Sequence, residues 1–170
     1  MKLQSVDVKT LSPDVFRVFG TQNALLTAGD RDKCNTMTIG WCQLGCVWNL
    51  PTCTVYVRPE RYTYQFMESH DYFTVSVFPA DRKKDMTFCG TKSGRDVDKV
   101  KECGLTLRYG AGDAPFFEEA EWVLVCRKLF VQDLEASCVT DERVFKSYTP
   151  AMGGWHRAYV GEVVEAYQKR

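Results

Sequence analysis

The sequence predicts a β-rich α+β domain in which a β-barrel is covered by short helices. Short alternating runs of β-branched and aromatic residues, bounded by Gly, Pro and Asp, recur along the chain. The longest run, residues 121–133, is apolar on both faces, as expected for a strand inside a barrel or between two layers. With 170 residues, of which 45% are apolar, we expect a single domain over residues 1–170.

The predicted elements follow from the period of the apolar residues. Six segments are predicted as strands: 24–28, 36–41, 52–58, 72–78, 121–133 and 156–167. Three segments have helical spacing instead: 59–70, 80–88 and 95–103. Residues 109–115 are expected to form a loop. Residues 135–154 have little periodicity, and we expect a short helix there followed by a mobile loop at Gly153 and Gly154.

Charge and apolar runs exclude several classes of function. Lys plus Arg and Asp plus Glu both number 22, so the chain has no overall field that would attract nucleic acid or an anionic membrane. No apolar run approaches the roughly 20 residues that a membrane helix needs. The start MKLQSVDVKT lacks the apolar segment of a secretory signal. We therefore expect a cytoplasmic protein that binds neither nucleic acid nor membranes.

The eight cysteines are scattered between Cys34 and Cys138 in a chain large enough to fold without disulfides. There is no C-x-x-C pair, and the chain has only two histidines. This spacing favours neither a metal site nor a dithiol relay. We expect reduced thiols that act mostly as small buried apolar residues.

Two segments offer polar groups suited to a planar ligand that carries a phosphate. Residues 35–41, NTMTIGW, alternate amide and hydroxyl side chains with apolar ones along a strand. Residues 58–63, RPERYT, place guanidinium and hydroxyl groups where a strand ends and a helix begins, which suits an anion. The alternatives are a half-exposed strand facing water for the first segment, and surface pairing of Arg with Glu60 for the second. Stacking of single-stranded RNA is a more distant alternative.

Two further segments could likewise have either a ligand-binding or a purely structural role. In residues 93–99, SGRDVDK, Ser93 is suited to cap a helix, and Arg95 and Lys99 are spaced to project from one helical face toward the same anion. The alternative is an ordinary cap with solvated charges. His156 stands at a junction between a loop and a strand, where a histidine is either structural or catalytic depending on its partners.

Taken in order, these segments resemble the flavin reductase-like family, and most closely its flavoredoxin branch, which adopts the FMN-binding split barrel. The resemblance runs from about Asn23 to Val164 and rests on the order and spacing of its motifs rather than on any one of them. The motifs are LLTAGDRDKCNTMTIGW, a strand led by Pro51 and ending in YVRPERYTYQFM, FTVSVF, CGTKSGRDVDK and HRAYVGEVV.

The resemblance implies a set of site residues and an assembly. It places the flavin ring against Asn35, Thr36, Met37, Thr38 and Trp41, and the ribityl and phosphate groups against Arg58, Tyr62, Thr63, Ser93, Gly94 and Lys99. It places His156 near the nicotinamide side of the flavin, as a group acting in electron transfer. It also implies a homodimer. The sequence departs from the flavoredoxin pattern in Cys34, Cys42 and Cys46, which we expect to be small residues of the barrel wall.

The function that the resemblance implies is reduction of bound FMN by NADH or NADPH, with electrons passed on to an acceptor. One alternative is a flavoredoxin-type carrier that a redox protein partner reduces. Another is an FMN-binding protein without turnover. The chain has no G-x-G-x-x-G, so no Rossmann site for the nicotinamide is expected.

Overall fold

A computed structural model describes residues 2–170, which form ten strands and four α-helices. The strands are β1 (Leu3–Val6), β2 (Ala24–Gly29), β3 (Cys34–Ile39), β4 (Cys42–Val47), β5 (Leu50–Val57), β6 (Tyr72–Val77), β7 (Leu107–Tyr109), β8 (Pro115–Phe117), β9 (Trp122–Asp133) and β10 (Arg157–Lys169). The helices are α1 (Val15–Arg17), α2 (Tyr62–Ser69), α3 (Lys83–Thr91) and α4 (Lys99–Glu102). The prediction of a β-rich α+β fold is confirmed.

Seven antiparallel strands form one curved sheet in the order β3-β2-β6-β9-β10-β5-β4, and β1 pairs with the end of β10. Although β3 and β4 are consecutive in the chain, they lie at opposite ends of this order and do not pair within residues 2–170. The barrel is therefore split along the free edges of β3 and β4. Because β3 pairs on one side only, alternate main-chain groups of β3 face away from β2.

Two apolar cores lie on opposite faces of this sheet. The first fills the barrel and includes Leu26, Val55, Phe73 and Tyr159. The second lies outside the barrel and is covered by α3 and the β7–β8 hairpin; its buried residues include Phe78, Met86, Phe116 and Phe117. Within the barrel, Gly161 has no room for a side chain, since an added Cβ would lie 2.7 Å from the Phe73 ring.

Strand β9 tests the prediction that residues 121–133 pack apolar side chains on both faces of the strand. Its first part alternates between the cores, with Leu124 and Cys126 in the barrel and Val123 and Val125 in the outer core. Further along, residues 129–131 are 38–45% exposed. The prediction is therefore confirmed for the first half of the strand and wrong for the second, which extends past both cores.

The six predicted strands are present with shifted ends, whereas β1, β4, β7 and β8 were not predicted. β7 and β8 have three residues each, too few to show a period. They flank residues 110–114, so the predicted loop is the turn of a hairpin. β4 is mostly exposed and contains Gly45, so it lacks the apolar alternation of a strand against a core.

Two of the three predicted helices are shorter than expected, and the third is shifted toward the C-terminus. The helix predicted for 59–70 begins at Tyr62, and the one predicted for 80–88 is a 3₁₀ turn followed by α3. The helix predicted for 95–103 is reduced to α4, and its cap is Asp98, which accepts from the backbone N–H of Lys101 at 3.1 Å. Ser93 therefore does not cap this helix, and Arg95 and Lys99 do not share a helical face.

Residues 135–154 contain three 3₁₀ turns, Ala136–Cys138, Glu142–Ser147 and Pro150–Met152, where one short helix was predicted. The connection then turns at Gly153, whose φ of 92° favours glycine, and leads into β10. Within residues 2–170, none of the helices combines the length and the apolar character needed to cross a bilayer.

Candidate functional site

A cleft of about 160 Å³ lies at the open edge of β3. It forms where β3 meets the start of α2, the end of α3 and the turn that follows α3. Its lining comes from three stretches of chain and one residue of α4: Asn35, Met37 and Thr38; residues 60–63; residues 89–95; and Lys99. The cleft thus brings together segments that are distant in sequence.

Asn35 joins three of these segments. Its side chain is 7% exposed, and its Nδ2 donates to Thr63 Oγ1 of α2 at 2.7 Å. On its other side lies Gly94, where an added Cβ would stand 1.9 Å from Asn35 Oδ1. No side chain fits there, so glycine at position 94 lets the turn approach β3 closely.

Lys99 fixes the base of the cleft. Its ammonium group donates to Thr36 O at 2.8 Å and to Cys89 O at 2.7 Å, and the residue is only 6% exposed. Burial lowers the pKa of this amine, with a smaller contribution from the charge of Arg61. Because Cys89 lies near the end of α3, Lys99 also offsets the negative end of that helix. An ammonium has three hydrogens, so one remains for a ligand.

Three further cations line the cleft: Arg61, Lys92 and Arg95. None of the ion pairs found within residues 2–170 involves them. The Arg95 guanidinium lies over the Tyr62 ring, 4.7 Å from the ring centre, in a cation–π contact. With the N-terminus of α2 beside them, these cations form a site for an anion such as phosphate.

Eight of the predicted cofactor residues line this cleft: Asn35, Met37, Thr38, Tyr62, Thr63, Ser93, Gly94 and Lys99. Thr36 does not. Its side chain is buried against β2, where it donates to Leu26 O at 3.1 Å, and it contributes only its carbonyl, to Lys99. Trp41, Arg58 and His156 also lie outside the cleft, in a second cluster.

We call this second group the His156 cluster; it consists of His156, Trp41, Tyr148, Trp155 and Arg58. The ring centres of His156 and Trp41 are 4.5 Å apart, and Tyr148 stacks on Trp155 at 3.9 Å. The Tyr148 hydroxyl lies 3.0 Å from His156 Nδ1. Trp41 is 45% exposed, so one side of the cluster is open to solvent.

His156 is held in its neutral form. Burial, followed by the charges of Arg58 and Arg61, lowers its pKa to about 4, although Glu60 acts in the opposite direction. Burial raises the pKa of Tyr148, which keeps its hydroxyl protonated. We therefore assign the hydroxyl as the donor to Nδ1, which leaves Nε2 with the imidazole hydrogen. This cluster can donate a hydrogen bond at Nε2, but it carries no imidazolium charge near neutral pH.

Arg58 belongs to this cluster because of strand register. Arg157 of β10 lies opposite Val57 of β5, so the residue after Val57 stands beside the residue before Arg157. The Arg58 guanidinium donates to the carbonyls of Ser147 at 2.8 Å, Gly154 at 3.1 Å and Met152. Its donors are therefore used by the loop before β10 and not by the cleft.

Glu60 connects the two regions. Its side chain lines the cleft, and its Oε1 accepts from the backbone N–H of Gly154 at 2.6 Å. This hydrogen bond lowers the pKa of the Glu60 carboxyl. The loop at 147–154 is thus attached to the chain segment that leads from β5 to α2.

The cysteines differ from their predicted role. Only Cys53, Cys89 and Cys126 are buried, and Cys46 and Cys138 are exposed. Thiols far apart in sequence also come together, with Cys42 and Cys53 sulfurs 3.5 Å apart and those of Cys89 and Cys103 3.8 Å apart. Sequence spacing could not reveal such pairs, because it detects only cysteines that are close along the chain.

Comparison with known proteins identifies the fold and the family. The model of the flavin reductase like domain matches residues 16–170. The chain belongs to the flavin reductase-like family. The resemblance found in the motifs is therefore confirmed over most of the chain. No curated protein matches the sequence.

Solved structures of the flavin reductase-like family include several similar ones. A flavoredoxin from Methanosarcina acetivorans is 27% identical, with a TM-score of 0.68 over 88% of this chain and 69% of that one. An FMN-binding protein from Thermus thermophilus, solved with 1-cyclohex-2-enone, is 21% identical, with a TM-score of 0.69 over 97% and 80%. An NADH:FAD oxidoreductase from Streptomyces globisporus is 21% identical, with a TM-score of 0.64 over 88% and 76%. The two structures at 21% identity support the fold alone.

Proposed function

We propose that this protein binds FMN with its phosphate in the cleft at the edge of β3 and transfers electrons from NADH or NADPH to an acceptor. The observation that supports this most is the group of cleft cations, Arg61, Lys92 and Arg95, which form no ion pair within residues 2–170. A phosphate in the cleft would accept charge-assisted hydrogen bonds from these cations.

The residues of the cleft fit one end of FMN. Ligand pockets commonly measure roughly 300–1,000 Å³, and this cleft of about 160 Å³ is smaller. It suits the phosphate and the ribityl chain, which Thr63, Ser93 and Lys99 would hold. The flavin ring would then extend from the cleft along β3, past Met37 and Thr38 and toward Trp41. This arrangement keeps most of the predicted ring contacts and excludes Thr36 and Arg58.

FMN, when bound, would accept two electrons from the nicotinamide and release them to the acceptor. The protein orients the ring and shapes the face on which the donor docks. Neutral His156 offers its Nε2 hydrogen to that face, and Tyr148 fixes the tautomer from the other side. With a pKa of about 4, His156 carries no charge that could balance reduced flavin near neutral pH. We therefore limit its role to hydrogen bonding. Such an oxidoreductase would work in the cytoplasm.

The similarity to a flavoredoxin supports a second candidate, a carrier reduced by a redox protein partner. A non-catalytic FMN-binding protein is the third. One anaerobic experiment separates them: NADH or NADPH is added to the FMN-loaded protein and absorbance is followed. Rapid bleaching supports the reductase, and bleaching only by a redox protein supports the carrier. Bleaching by dithionite alone supports a binding protein. Failure to bind FMN refutes all three.

We also propose that the protein is a homodimer. The rings of Trp48 and Phe130 are 6.1 Å apart and are 55% and 45% exposed, and Val47, next to Trp48, is 44% exposed. A second copy of the chain would cover this apolar patch. Sedimentation should show a dimer that Phe130→Glu converts to a monomer. A monomeric wild-type protein contradicts the proposal.

A further inference from the structure

The Cys89 and Cys103 thiols form a pair beside the cleft. Cys89 lies on α3 and lines the cleft, and Cys103 directly follows α4. Their sulfur atoms are 3.8 Å apart, although 14 positions separate the residues in sequence. Neither residue has a part in the proposed electron transfer.

We propose that Cys89 and Cys103 form a reversible disulfide that weakens flavin binding in the cleft. Formation of the disulfide depends only on the two thiols, whereas its effect on flavin binding rests on the proposed function. The oxidant is a peroxide, a class of compound that reduced flavins generate from oxygen.

The geometry favours this pair over Cys42 and Cys53, whose sulfurs are 3.5 Å apart. Cys42 lies opposite Val55 and Cys53 opposite Leu44 in the β4–β5 ladder, so Cys42 and Cys53 are diagonal neighbours. Diagonal positions are about 7–8 Å apart, beyond the roughly 6.8 Å that Cα atoms span in disulfides. The strand hydrogen bonds hold them there. Cys89 lies near the end of α3 and Cys103 directly follows α4, so no strand ladder fixes the distance between them.

The two sulfurs differ in access, which sets the order of the reaction. Cys103 is partly exposed and Cys89 is 1% exposed. The Cys103 thiolate attacks one peroxide oxygen, and hydroxide leaves as Cys103 becomes a sulfenic acid. The Cys89 thiolate then attacks that sulfur, forming the S–S bond and displacing the second hydroxide. The two thiol protons convert both hydroxides to water. Two thiols and one hydrogen peroxide thus yield one disulfide and two waters.

The disulfide would disturb the base of the cleft. An S–S bond measures about 2.05 Å, so the two sulfurs must approach from 3.8 Å. Cys89 carries the carbonyl that Lys99 binds at 2.7 Å, and Gly90 and Thr91 after it line the cleft. Cys103 is tied through α4 to Lys99 itself. Drawing α3 and α4 together therefore moves both partners of this hydrogen bond.

Burial raises the pKa of Cys89 to about 12 and also raises that of Cys103. Both residues are therefore thiols at neutral pH, and we expect slow oxidation that needs excess peroxide and prolonged exposure.

The test uses the full chain treated with hydrogen peroxide and mapped by mass spectrometry without reduction. A peptide linking Cys89 to Cys103 is expected in the wild type and in Cys42→Ser, and no such peptide in Cys103→Ser. Dithiothreitol should remove the link. If peroxide yields no linked peptide, or links Cys42 to Cys53 instead, the proposed site is wrong.

The second measurement is an FMN titration of the reduced and oxidised protein. We expect oxidation to weaken FMN binding about tenfold or more in the wild type, and to leave Cys103→Ser unchanged. A linked protein that binds FMN as tightly as the reduced form overturns the coupling but keeps the disulfide. If the reduced protein does not bind FMN, the proposed function and the coupling both fail, while the peptide map still decides the disulfide.

Discussion

Arg58 and Arg61 lie three residues apart in sequence, yet they belong to two regions with opposite electrostatic character. Arg61 faces the cleft, where no ion pair within residues 2–170 uses it. Arg58 lies in the His156 cluster, where three backbone carbonyls use its donors. Of these two arginines, the one that lines the cleft is therefore the one that is not held by the loop before β10, residues 147–154.

This difference separates binding from reaction in the proposed function. The cleft has cations, hydroxyls and a helix N-terminus, which are groups that hold a phosphate. The His156 cluster has a neutral imidazole and aromatic rings, which are groups that can hydrogen-bond to or stack on a planar electron donor such as a nicotinamide. Variants of one region should therefore change flavin affinity and variants of the other should change the rate of flavin reduction.

The largest effect is expected from Arg61→Ala combined with Arg95→Ala. Each charge-assisted hydrogen bond is worth about 1.5–3 kcal/mol, so FMN should bind at least about 100-fold more weakly. Riboflavin lacks the phosphate, and its affinity should change by less than about threefold. The dissociation constants are measured by quenching of flavin fluorescence.

Arg58→Ala is the matched control, since it removes the neighbouring arginine of the same motif. Its carbonyl partners lie in the loop before β10. We expect FMN affinity within about threefold of wild type and slower flavin reduction, because the loop that carries Tyr148 is released. An Arg58→Ala variant that loses FMN as strongly as the double variant contradicts the division between the two regions.

Gly94→Ala should produce the next largest effect. The added Cβ would stand 1.9 Å from Asn35 Oδ1, so the turn must move away from β3 and widen the cleft. We expect FMN to bind about tenfold more weakly, a change of about 1.4 kcal/mol. Gly45→Ala is the control, since nothing lies within 4 Å of its added Cβ. Equal FMN affinities of the two variants would show that the close approach at Gly94 is unimportant.

His156→Ala tests the other region. Loss of one positioned hydrogen-bonding group should slow flavin reduction about tenfold or more, with FMN affinity nearly unchanged. Stopped-flow measurements with excess NADH or NADPH give the rate. If the variant loses FMN while the remaining holoprotein is reduced at the normal rate, His156 is a binding or structural residue.

The smallest effect is expected in the pH dependence of stability, which tests whether His156 is neutral in the folded protein. Its pKa is about 4 in the fold against an ordinary value of 6.5. Between these values the unfolded chain binds a proton that the folded chain does not, so the free energy of unfolding should fall as pH drops through this window. His156→Ala should flatten that part of the curve measured by urea denaturation. A flavin reduction rate with an inflection near pH 6.5 contradicts a neutral His156.

Much of the fold and part of the site were predictable from the sequence. The strands that pack against a core have a period of two, and the motifs around Asn35, Tyr62 and Gly94 stand in the family's order. The parts that were wrong depend on register and on contacts across the chain. Arg58 was placed with Thr63 because they are close in sequence, whereas the β5–β10 register places it beside the loop before β10.

The cations of the cleft show the same limit. Arg61 and Arg95 stood in segments predicted to meet an anion, but Lys92 had no such signal, and only the meeting of α2, α3 and β3 gives the three cations one cleft. The helix predicted through Arg95 was wrong because Asp98 caps the chain later, at Lys99. Likewise, Cys89 and Cys103 carry no spacing signal and meet only through the packing of α3 and α4.

The central claim is that the cleft at the edge of β3 holds the phosphate of FMN, and one titration tests it directly. The wild-type protein is titrated with FMN and with riboflavin under the same conditions. Because the phosphate would make several charge-assisted hydrogen bonds, FMN should bind at least about tenfold more tightly. Equal affinities for FMN and riboflavin would show that the cations of the cleft bind something else, and would contradict the account.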